Sequence, residues 1–449
     1  MENNKKKLKL RERVLAFVVE RSKPKLLFPI IVLCVLAAAL AVCSYFDIKS
    51  EKEMIIEYSA RTDNKDDIAK ISFAGDIVLG RNVATRANRI GYDVIFNSVQ
   101  NLWRNSDFIV ANLDTCVLDK NVSEYEDTRI NKKVCFSTNS DNLKYIRDAG
   151  INVLSIATDH IADYGRQTVK TAIDTLDQLN VAHVGAGEDR EKASAYEILT
   201  VDTTDGKTIK IALFGALGHQ SSEYGAKAPK TINRIQSSDT AQFLTDNSEI
   251  NSDNTYKNSN TSESVNSDDS IINNYDPWAE TAGTFSGKNA ALTMNIAEAR
   301  QVCDVIVVYM HWGDDAMFYE NSTMRSLAYN YIDAGADVVI GTNPRVILPI
   351  ETYKRGIIFY SIGSLVYDSA ESRLCDSSMV DLIIDSNLNR TIEVTPLRIK
   401  SCIPQRTSST FYTNRIFTKL TRNMDKTSYS ISDNKLVIEL GQKRPVMGD

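Results

Sequence analysis

Acidic and histidine side chains recur at one kind of position in this sequence, directly after an apolar run. The runs and their polar ends are ISFAGD (71–76), FIVANLD (108–114), VLSIATDH (153–160), VIVVYMHWGDD (305–315) and VVIGTNPR (338–345). The acidic and histidine residues at these ends are Asp76, Asp114, Asp159, His160, His311 and Asp315. Carboxylates and imidazoles in one cluster can hold a metal ion or exchange protons with a substrate. Their shared position predicts a metal site or an acid/base site.

The elements that must position these residues are strands and helices in alternation. Continuous Val/Ile runs of this length are typical of strands that helices bury on both faces. Helical apolar stripes lie between them, at 141–148, 169–179 and 324–332. Ligands of such sheets bind outside the carboxyl ends of the strands. The pattern therefore predicts an α/β fold whose polar residues meet at one sheet edge. Beyond Gly356 strands follow each other directly, which predicts a second, partly antiparallel sheet.

The four histidines divide into two pairs. His160 and His311 each follow a strand and stand beside carboxylates, which favours a site over two structural histidines. His183 and His219 have no acidic cluster beside them and are interpreted as structural. Trp312 is interpreted as a packing or pocket-wall residue.

Charge is unevenly distributed along the 449 residues. The first 25 residues carry nine Lys/Arg and three Glu, whereas the whole chain has a net charge of −6. The body is therefore acidic, which argues against binding to a nucleic-acid backbone. Leu26 to Phe46 is uncharged and, as a helix, would rise about 31 Å, enough to span a bilayer. The basic flank predicts a cytoplasmic N-terminus and an external main domain. A cleaved signal peptide and a lipoprotein box at Cys43 are the alternatives.

The remaining chain is predicted to contain one domain with an insertion. Residues 1–25 form a basic tail, 26–46 the membrane span and 47–67 a stalk. The domain covers 68–404 and is interrupted at 233–275 by a segment rich in Asn, Ser, Asp and Thr, which is expected to be a disordered external loop. Residues 405–449 form a polar tail with one weak helix and one short strand. Cys116 and Cys135 bracket a polar loop and are the two cysteines most able to meet; whether they pair stays open.

Several of these motifs together resemble the CapA/PgsA-type poly-γ-glutamate capsule synthesis proteins, in the order that this family has them. They are Gly75-Asp76-Ile77-Val78-Leu79-Gly80-Arg81, Asn112-Leu113-Asp114, Asp159-His160-Ile161-Ala162-Asp163-Tyr164-Gly165, Gly185-Ala186-Gly187, His311-Trp312-Gly313, Ile332-Asp333-Ala334-Gly335-Ala336-Asp337 and Tyr360-Ser361-Ile362-Gly363. The family is similar to calcineurin-like metallophosphoesterases, so the resemblance implies a four-layer αββα sandwich. It also implies a membrane anchor with the domain outside the cell.

This chain departs from the family pattern where metal ligands are expected. Asp114 replaces a glutamate, Asp159 replaces an asparagine, and the histidine-rich segment becomes Gly341-Thr342-Asn343-Pro344-Arg345. Losing imidazoles leaves a harder, oxygen-rich ligand set, and an arginine adds a permanent cation. We therefore expect at most one weakly bound divalent ion, Mn²⁺, Mg²⁺ or Zn²⁺.

The resemblance assigns roles to particular residues of one crevice, with Asn343 and Arg345 at its rim. The predicted catalytic residue is His160; the metal ligands are Asp76, Asp114, Asp159, His311 and Asn343; the ligand-binding residues are Arg81, Asp315 and Arg345.

Two functions remain open. One is an accessory factor, with little or no catalytic activity, that helps to make, export or tether an anionic polymer such as poly-γ-glutamate, together with other membrane components of a capsule complex. The other is an active metal-dependent phosphoesterase or hydrolase at the cell envelope. The missing histidines favour the first, because function must be argued from the site.

Overall fold

The computed structural model describes residues 33–38, 68–203, 205–218, 283–287 and 290–441. Residues 33–38 are helical and belong to a separate unit, 1–58. No helix in these described ranges is long and apolar enough to cross a membrane. Most of the predicted span at 26–46, the stalk at 47–67, the insertion at 233–275 and His219 lie outside the described residues.

The domain alternates strands with helices, as the sequence predicts, and has an α/β fold. The strands in chain order are β1 (Ile68–Ile77), β2 (Phe108–Leu113), β3 (Cys116–Leu118), β4 (Ser137–Asn139), β5 (Val153–Ser155), β6 (Ala182–Val184), β7 (Ala186–Gly187), β8 (Glu197–Asp202), β9 (Thr208–Leu217), β10 (Gly283–Thr284), β11 (Val305–His311), β12 (Val338–Thr342), β13 (Ile350–Tyr353), β14 (Gly356–Phe359), β15 (Ser364–Val366), β16 (Asp376–Asp385), β17 (Arg390–Lys400), β18 (Ile403–Arg406), β19 (Ser430–Ser432) and β20 (Lys435–Gly441). The helices are α1 (Arg81–Ile90), α2 (Tyr92–Asn97), α3 (Leu143–Asp148), α4 (Gln167–Gln178), α5 (Arg190–Ala193), α6 (Ala290–Ala299), α7 (Ser322–Ala334) and α8 (Thr410–Leu420). Short 3-10 turns cover Gln100–Leu102, Val122–Thr128 and Ser140–Asn142.

Two large sheets carry the fold. Sheet I has the order β19-β20-β17-β16-β1-β2-β5-β6, with β15 also paired to β1 and β18 to β17. Its β1, β2, β5 and β6 are parallel, and its β16, β17, β20 and β19 are antiparallel. Sheet II has the order β13-β14-β12-β11-β9-β8, with a parallel centre and antiparallel edges.

The main apolar core contains residues of both sheets. Phe73 and Val110 of sheet I share one cluster with Leu213, Val307 and Ile340 of sheet II, and all five are buried. A second cluster joins sheet II to α6 and α7. Burying both faces explains why the sheet II strands read as continuous apolar runs rather than alternating ones.

Two sequence-based expectations need correction. The strands beyond Gly356 do not form a sheet of their own: β14 extends sheet II, whereas β16 and β17 join sheet I beside β1. The domain also continues beyond 404, because β20 pairs along β17 and α8 buries Ile416 and Leu420 in the main core. A polar stretch can form a strand of a sheet when alternate residues face the core, as Leu436 and Ile438 do here.

Candidate metal and acid/base site

The carboxyl ends of β1, β2 and β5 in sheet I lie beside those of β11 and β12 in sheet II. Sheet I contributes Asp76, Asn112, Asp114, Asp159 and His160, and sheet II contributes His311, Asp315, Asn343 and Arg345. The structure thus brings together four of the predicted side chains, those of Asp76, Asp114, Asp159 and His311. All of them except Asp159 are fully buried.

Asp76 is placed by a close approach of two backbones. It is paired with Asn112 of β2 and Ser364 of β15, at an irregularity in the β1 ladder. A Cβ atom on the preceding Gly75 would lie 1.9 Å from the Gly363 carbonyl oxygen. Glycine is required at 75 for that reason, and the "GD" motif joins a packing requirement to a buried carboxylate.

The His311 imidazole lies at the centre of the carboxylates. Its Nδ1 is 3.3 Å from Asp76 Oδ1 and 3.1 Å from Asn112 Nδ2; its Nε2 is 3.2 Å from Asp159 Oδ1 and 3.7 Å from Asp114 Oδ1. Burial alone would lower the pKa of His311, but Asp114 and Asp76 outweigh it and raise this pKa to about 10. The surrounding carboxylates therefore favour the protonated form of the ring.

Arg345 lies inside the cluster and not at its rim, where the sequence had suggested it. The side chain is 1% exposed; its Nη2 donates to Asp114 Oδ2 (2.6 Å) and its Nε donates to Asp315 Oδ1 (2.8 Å). Its Nη1 is 3.7 Å from Asp76 Oδ2. Burial raises the pKa of Asp114, but the Arg345 guanidinium and the neighbouring histidines outweigh it and bring this pKa down to about 2.

The loop after β12 directs Arg345 inward through an unusual backbone. Asn343 has φ 89° and Arg345 has φ 58°, which are uncommon for residues other than glycine. The Asn343 backbone N–H donates to Asp76 Oδ2 (3.0 Å), while its side-chain amide donates to the Gly313 carbonyl (2.6 Å). The predicted metal ligand Asn343 thus contacts the site through its backbone.

Lys132 is a site residue that the sequence analysis missed. Its Nζ donates to Asp159 Oδ2 (2.6 Å) and to the Asp159 carbonyl (2.9 Å), and it is 3.2 Å from His160 Nδ1. Burial raises the pKa of Asp159, but the bond to His311 and the nearby cations outweigh it and hold this pKa well below its usual range. Lys132 comes from a loop without motif or periodicity, so no sequence signal pointed to it.

His160 is oriented by a carboxylate three residues later. Its Nδ1 lies 2.6 Å from Asp163 Oδ2, which also accepts the Phe136 backbone N–H (2.7 Å). The Phe136 ring lies 4.0 Å from the imidazole, centroid to centroid. A fixed imidazole with a buried carboxylate partner is suited to proton transfer. The His160–Asp163 spacing was in the sequence and could have identified Asp163.

A divalent ion fits one position in this cluster. Donor atoms of Asp114, Asp159 and His311 lie within 4.8 Å of one another, so they could hold one ion. The second oxygen of each carboxylate is already bonded, to Arg345 and to Lys132. Asp76 is outside this three-ligand group, since its oxygens accept from Asn112 and Asn343.

The other predicted ligand-binding residues lie further out. Arg81 is 42% exposed, 3.6 Å from Asp368, and its guanidinium is 5.7 Å from the Phe136 ring. Asp315 is 60% exposed and contacts the cluster through Arg345.

Trp312 is buried in the second apolar cluster, in agreement with its interpretation as a packing residue. His183 is 3.2 Å from Asp177, away from these residues in the sheet. Cys116 and Cys135 are free thiols in one small apolar cluster.

Two sheets pack on a shared apolar core, and carboxylates and histidines lie together at the carboxyl ends of their strands. This defines an α/β protein with a polar site that could hold a metal ion. Within that class, the family described as bacterial capsule synthesis protein PGA_cap matches residues 70–369, more than half of the chain. The chain belongs to this family.

Similar proteins carry related names. The chain is 26% identical to "Capsule biosynthesis protein CapA" of Bacillus anthracis over 98% of this chain and 93% of the relative. It is 27% identical to "PGA biosynthesis protein CapA" of Bacillus subtilis (strain 168), over 87% and 86%. A "Probable polyglutamine synthesis accessory protein" of Mycobacterium tuberculosis is 22% identical over 68% and 69%.

Proposed function

We propose that this protein acts at the cell envelope in the synthesis, export or tethering of an anionic capsule polymer such as poly-γ-glutamate. Family membership and the names of the relatives support the capsule role. The proposal includes the four-layer sandwich of calcineurin-like proteins. Two observations support it: the two sheets share a core, and helices cover sheet II. Its partners are the polymer and membrane components of a capsule complex.

The observation that carries the accessory role is the buried guanidinium of Arg345. A two-metal hydrolase needs carboxylates free to clamp both ions at close range. Here Asp114 is bonded to Arg345, and Asp76 is 3.7 Å from the same side chain. A second ion beside this permanent cation would meet like-charge repulsion without the imidazoles that favour transition metals. The site is therefore assigned at most one divalent ion.

A hydrolase is the second candidate, and the His160–Asp163 pair favours it. An oriented imidazole beside a three-ligand group is an arrangement that acid/base chemistry can use. In that function His160 would exchange the proton, and the ion would act as a Lewis acid. Elemental analysis of the purified full chain separates the candidates: two tightly bound ions, with phosphodiester turnover lost in His160→Gln, would establish the enzyme and overturn the accessory role.

Complementation tests the capsule role itself. Cells that lack the chromosomal copy should make polymer when given the wild type or Asp141→Asn, since Asp141 is an exposed carboxylate in the 3-10 turn Ser140–Asn142. Asp114→Asn should fail, because it removes the charge that Arg345 and His311 share. Normal polymer in cells without any copy would contradict the proposal.

The envelope location is proposed with residues 47–449 outside the cell, from the basic flank of 26–46. Protease added to intact protoplasts should digest the bulk of the chain. Full protection of the chain would rule out this topology.

A further inference from the structure

We propose that Lys132 is a tethered counter-ion of the site, which competes with a divalent cation for the Asp159 carboxylate. The inference rests on the proposed function, since it concerns the single ion position assigned there. It adds a residue of this chain that controls how tightly that ion is held.

Lys132 contacts the carboxylate that a divalent ion would also bind. Its ammonium group is bonded to Asp159 Oδ2 at 2.6 Å, and the other oxygen of this carboxylate is 3.2 Å from His311 Nε2. Asp163 Oδ1 is a second carboxylate oxygen near it, at 3.5 Å. The Lys132 ammonium thus lies among carboxylate oxygens and 3.2 Å from His160 Nδ1. It is bonded to one oxygen of Asp159, while the other oxygen of this carboxylate faces His311 and the ion position.

The two resident cations of the site differ in how easily they can leave. Arg345 is 1% exposed, is bonded to Asp114 and Asp315, and lies 4.5 Å from the Tyr367 ring. Lys132 is 21% exposed, and its ammonium stands on a flexible four-carbon stem. Its loop is attached on each side to Asp163, through the backbone N–H groups of Ile130 and Phe136. Lys132 can therefore swing into water while the loop stays in place.

Two buried polar atoms show that the side chains do not complete the site by themselves. Arg345 Nη1 and Asn112 Oδ1 have no hydrogen-bond partner within the described part of the chain. The Arg345 side chain is bonded to Asp114, and the Asn112 side chain contacts His311. Buried donors and acceptors are normally satisfied, so both atoms point to water or ligand atoms beside the cluster.

Electrostatic repulsion governs whether Lys132 and a divalent ion can occupy the site together. A divalent ion at Asp114, Asp159 and His311 would stand beside the ammonium group of Lys132, and two cations in a partly buried site repel each other. Removing Lys132 removes this repulsion and frees one carboxylate oxygen. Affinity for the ion should therefore rise when the lysine charge is deleted.

The test measures Mn²⁺ binding to the full-length protein by titration calorimetry and by the loss of the free Mn²⁺ electron paramagnetic resonance signal. Lys132→Met keeps most of the stem and deletes the charge; Lys133→Met deletes the same charge from an exposed neighbour in the same loop. Lys132→Met should bind Mn²⁺ about tenfold more tightly than the wild type. Lys133→Met should stay within about twofold, because an exposed charge is screened.

The possible outcomes test the role of Lys132 separately from the proposed accessory function. Equal or weaker Mn²⁺ binding by folded Lys132→Met, or equal gains in both variants, would overturn the tethered counter-ion and leave the accessory role standing. Two tightly held ions in the wild type would overturn the proposed function itself, whatever Lys132→Met does. Circular dichroism of each variant establishes that it is folded.

Discussion

Two buried charge clusters link sheet I to sheet II, one at each end of β12, and they are built in opposite ways. Asp337 directly precedes β12 and bonds Arg390, the first residue of β17. Arg345 follows β12 and bonds Asp114, which follows β2. Each cluster thus contains an arginine–aspartate pair across the sheets. They differ in how completely the pair is surrounded.

The Asp337 cluster is closed. One carboxylate is held by Arg390 at 2.5 Å, by Arg300, and by the Ile306 backbone N–H at 2.9 Å. Arg300 also donates to the Gly335 and Asp304 carbonyls. Two arginines and a backbone N–H share this one buried carboxylate, which suits a structural role.

The Arg345 cluster is open. It contains four carboxylates, and two of them reach solvent, those of Asp159 and Asp315. The other two are those of Asp76 and Asp114. An excess of carboxylates with an exposed side suits a ligand. The comparison teaches that a buried ion pair is structural or functional according to what its remaining atoms contact.

Breaking the closed cluster should give the largest loss of stability. Asp337→Ala leaves Arg300 and Arg390 buried without their carboxylate, which costs about 3–5 kcal/mol in the free energy of unfolding. Guanidinium denaturation measures it. Asp333→Ala, which removes an exposed carboxylate from α7, should leave the midpoint unchanged. A loss for Asp337→Ala no greater than that of this control would refute the structural assignment.

Acid should weaken the open cluster selectively. The pKa of Asp114 is lowered to about 2 in the folded protein, from 3.8, so its ionised form stabilises the fold above pH 4. This contribution, about 2 kcal/mol, is lost as the pH falls from about 4 to 2. Comparing the unfolding free energies of the wild type and Asp114→Asn across that range should show their difference change by this amount. A constant difference would mean that Arg345 does not hold the charge of Asp114.

Neutralising the exposed side of the open cluster should affect stability least. Asp159→Ala removes a side chain that is 22% exposed and contacts Lys132 and His311, so the unfolding free energy should fall by about 1–2 kcal/mol. Polymer production should nevertheless fall, because the site loses a charge that both Lys132 and His311 contact. Wild-type polymer levels in this variant would show that the open cluster is not the working site.

The sequence reveals the strand ends of the site and names Arg345, but it does not reveal the buried position of Arg345 or the contribution of Lys132. Asp76, Asp114 and His311 were predictable, because apolar runs identify buried strands and parallel strands share one polar edge. The inward position of Arg345 depends on left-handed backbone conformations at Asn343 and Arg345, which no composition signal indicates. Lys132 reaches Asp159 from a loop 27 residues earlier, a contact that only tertiary structure determines.

The C-terminal strands illustrate another gap. Polar composition after 404 predicted a tail, whereas β20 is hydrogen-bonded along β17. A strand that packs one face on the core needs only alternate apolar residues, and such a short alternation is a weak signal in the sequence.

The position of β1 in sheet I has a consequence for the order of folding. β1 lies between β2 and β16, and its Phe73 is paired with Val380, about 300 residues further along the chain. Pairings of such long separation slow folding, because the loop-closure entropy is lost before the contact forms. During synthesis β1 is made first, and its antiparallel neighbour becomes available only near the end. Its edge stays open to other chains until then, so a holding chaperone should raise the yield of the folded protein.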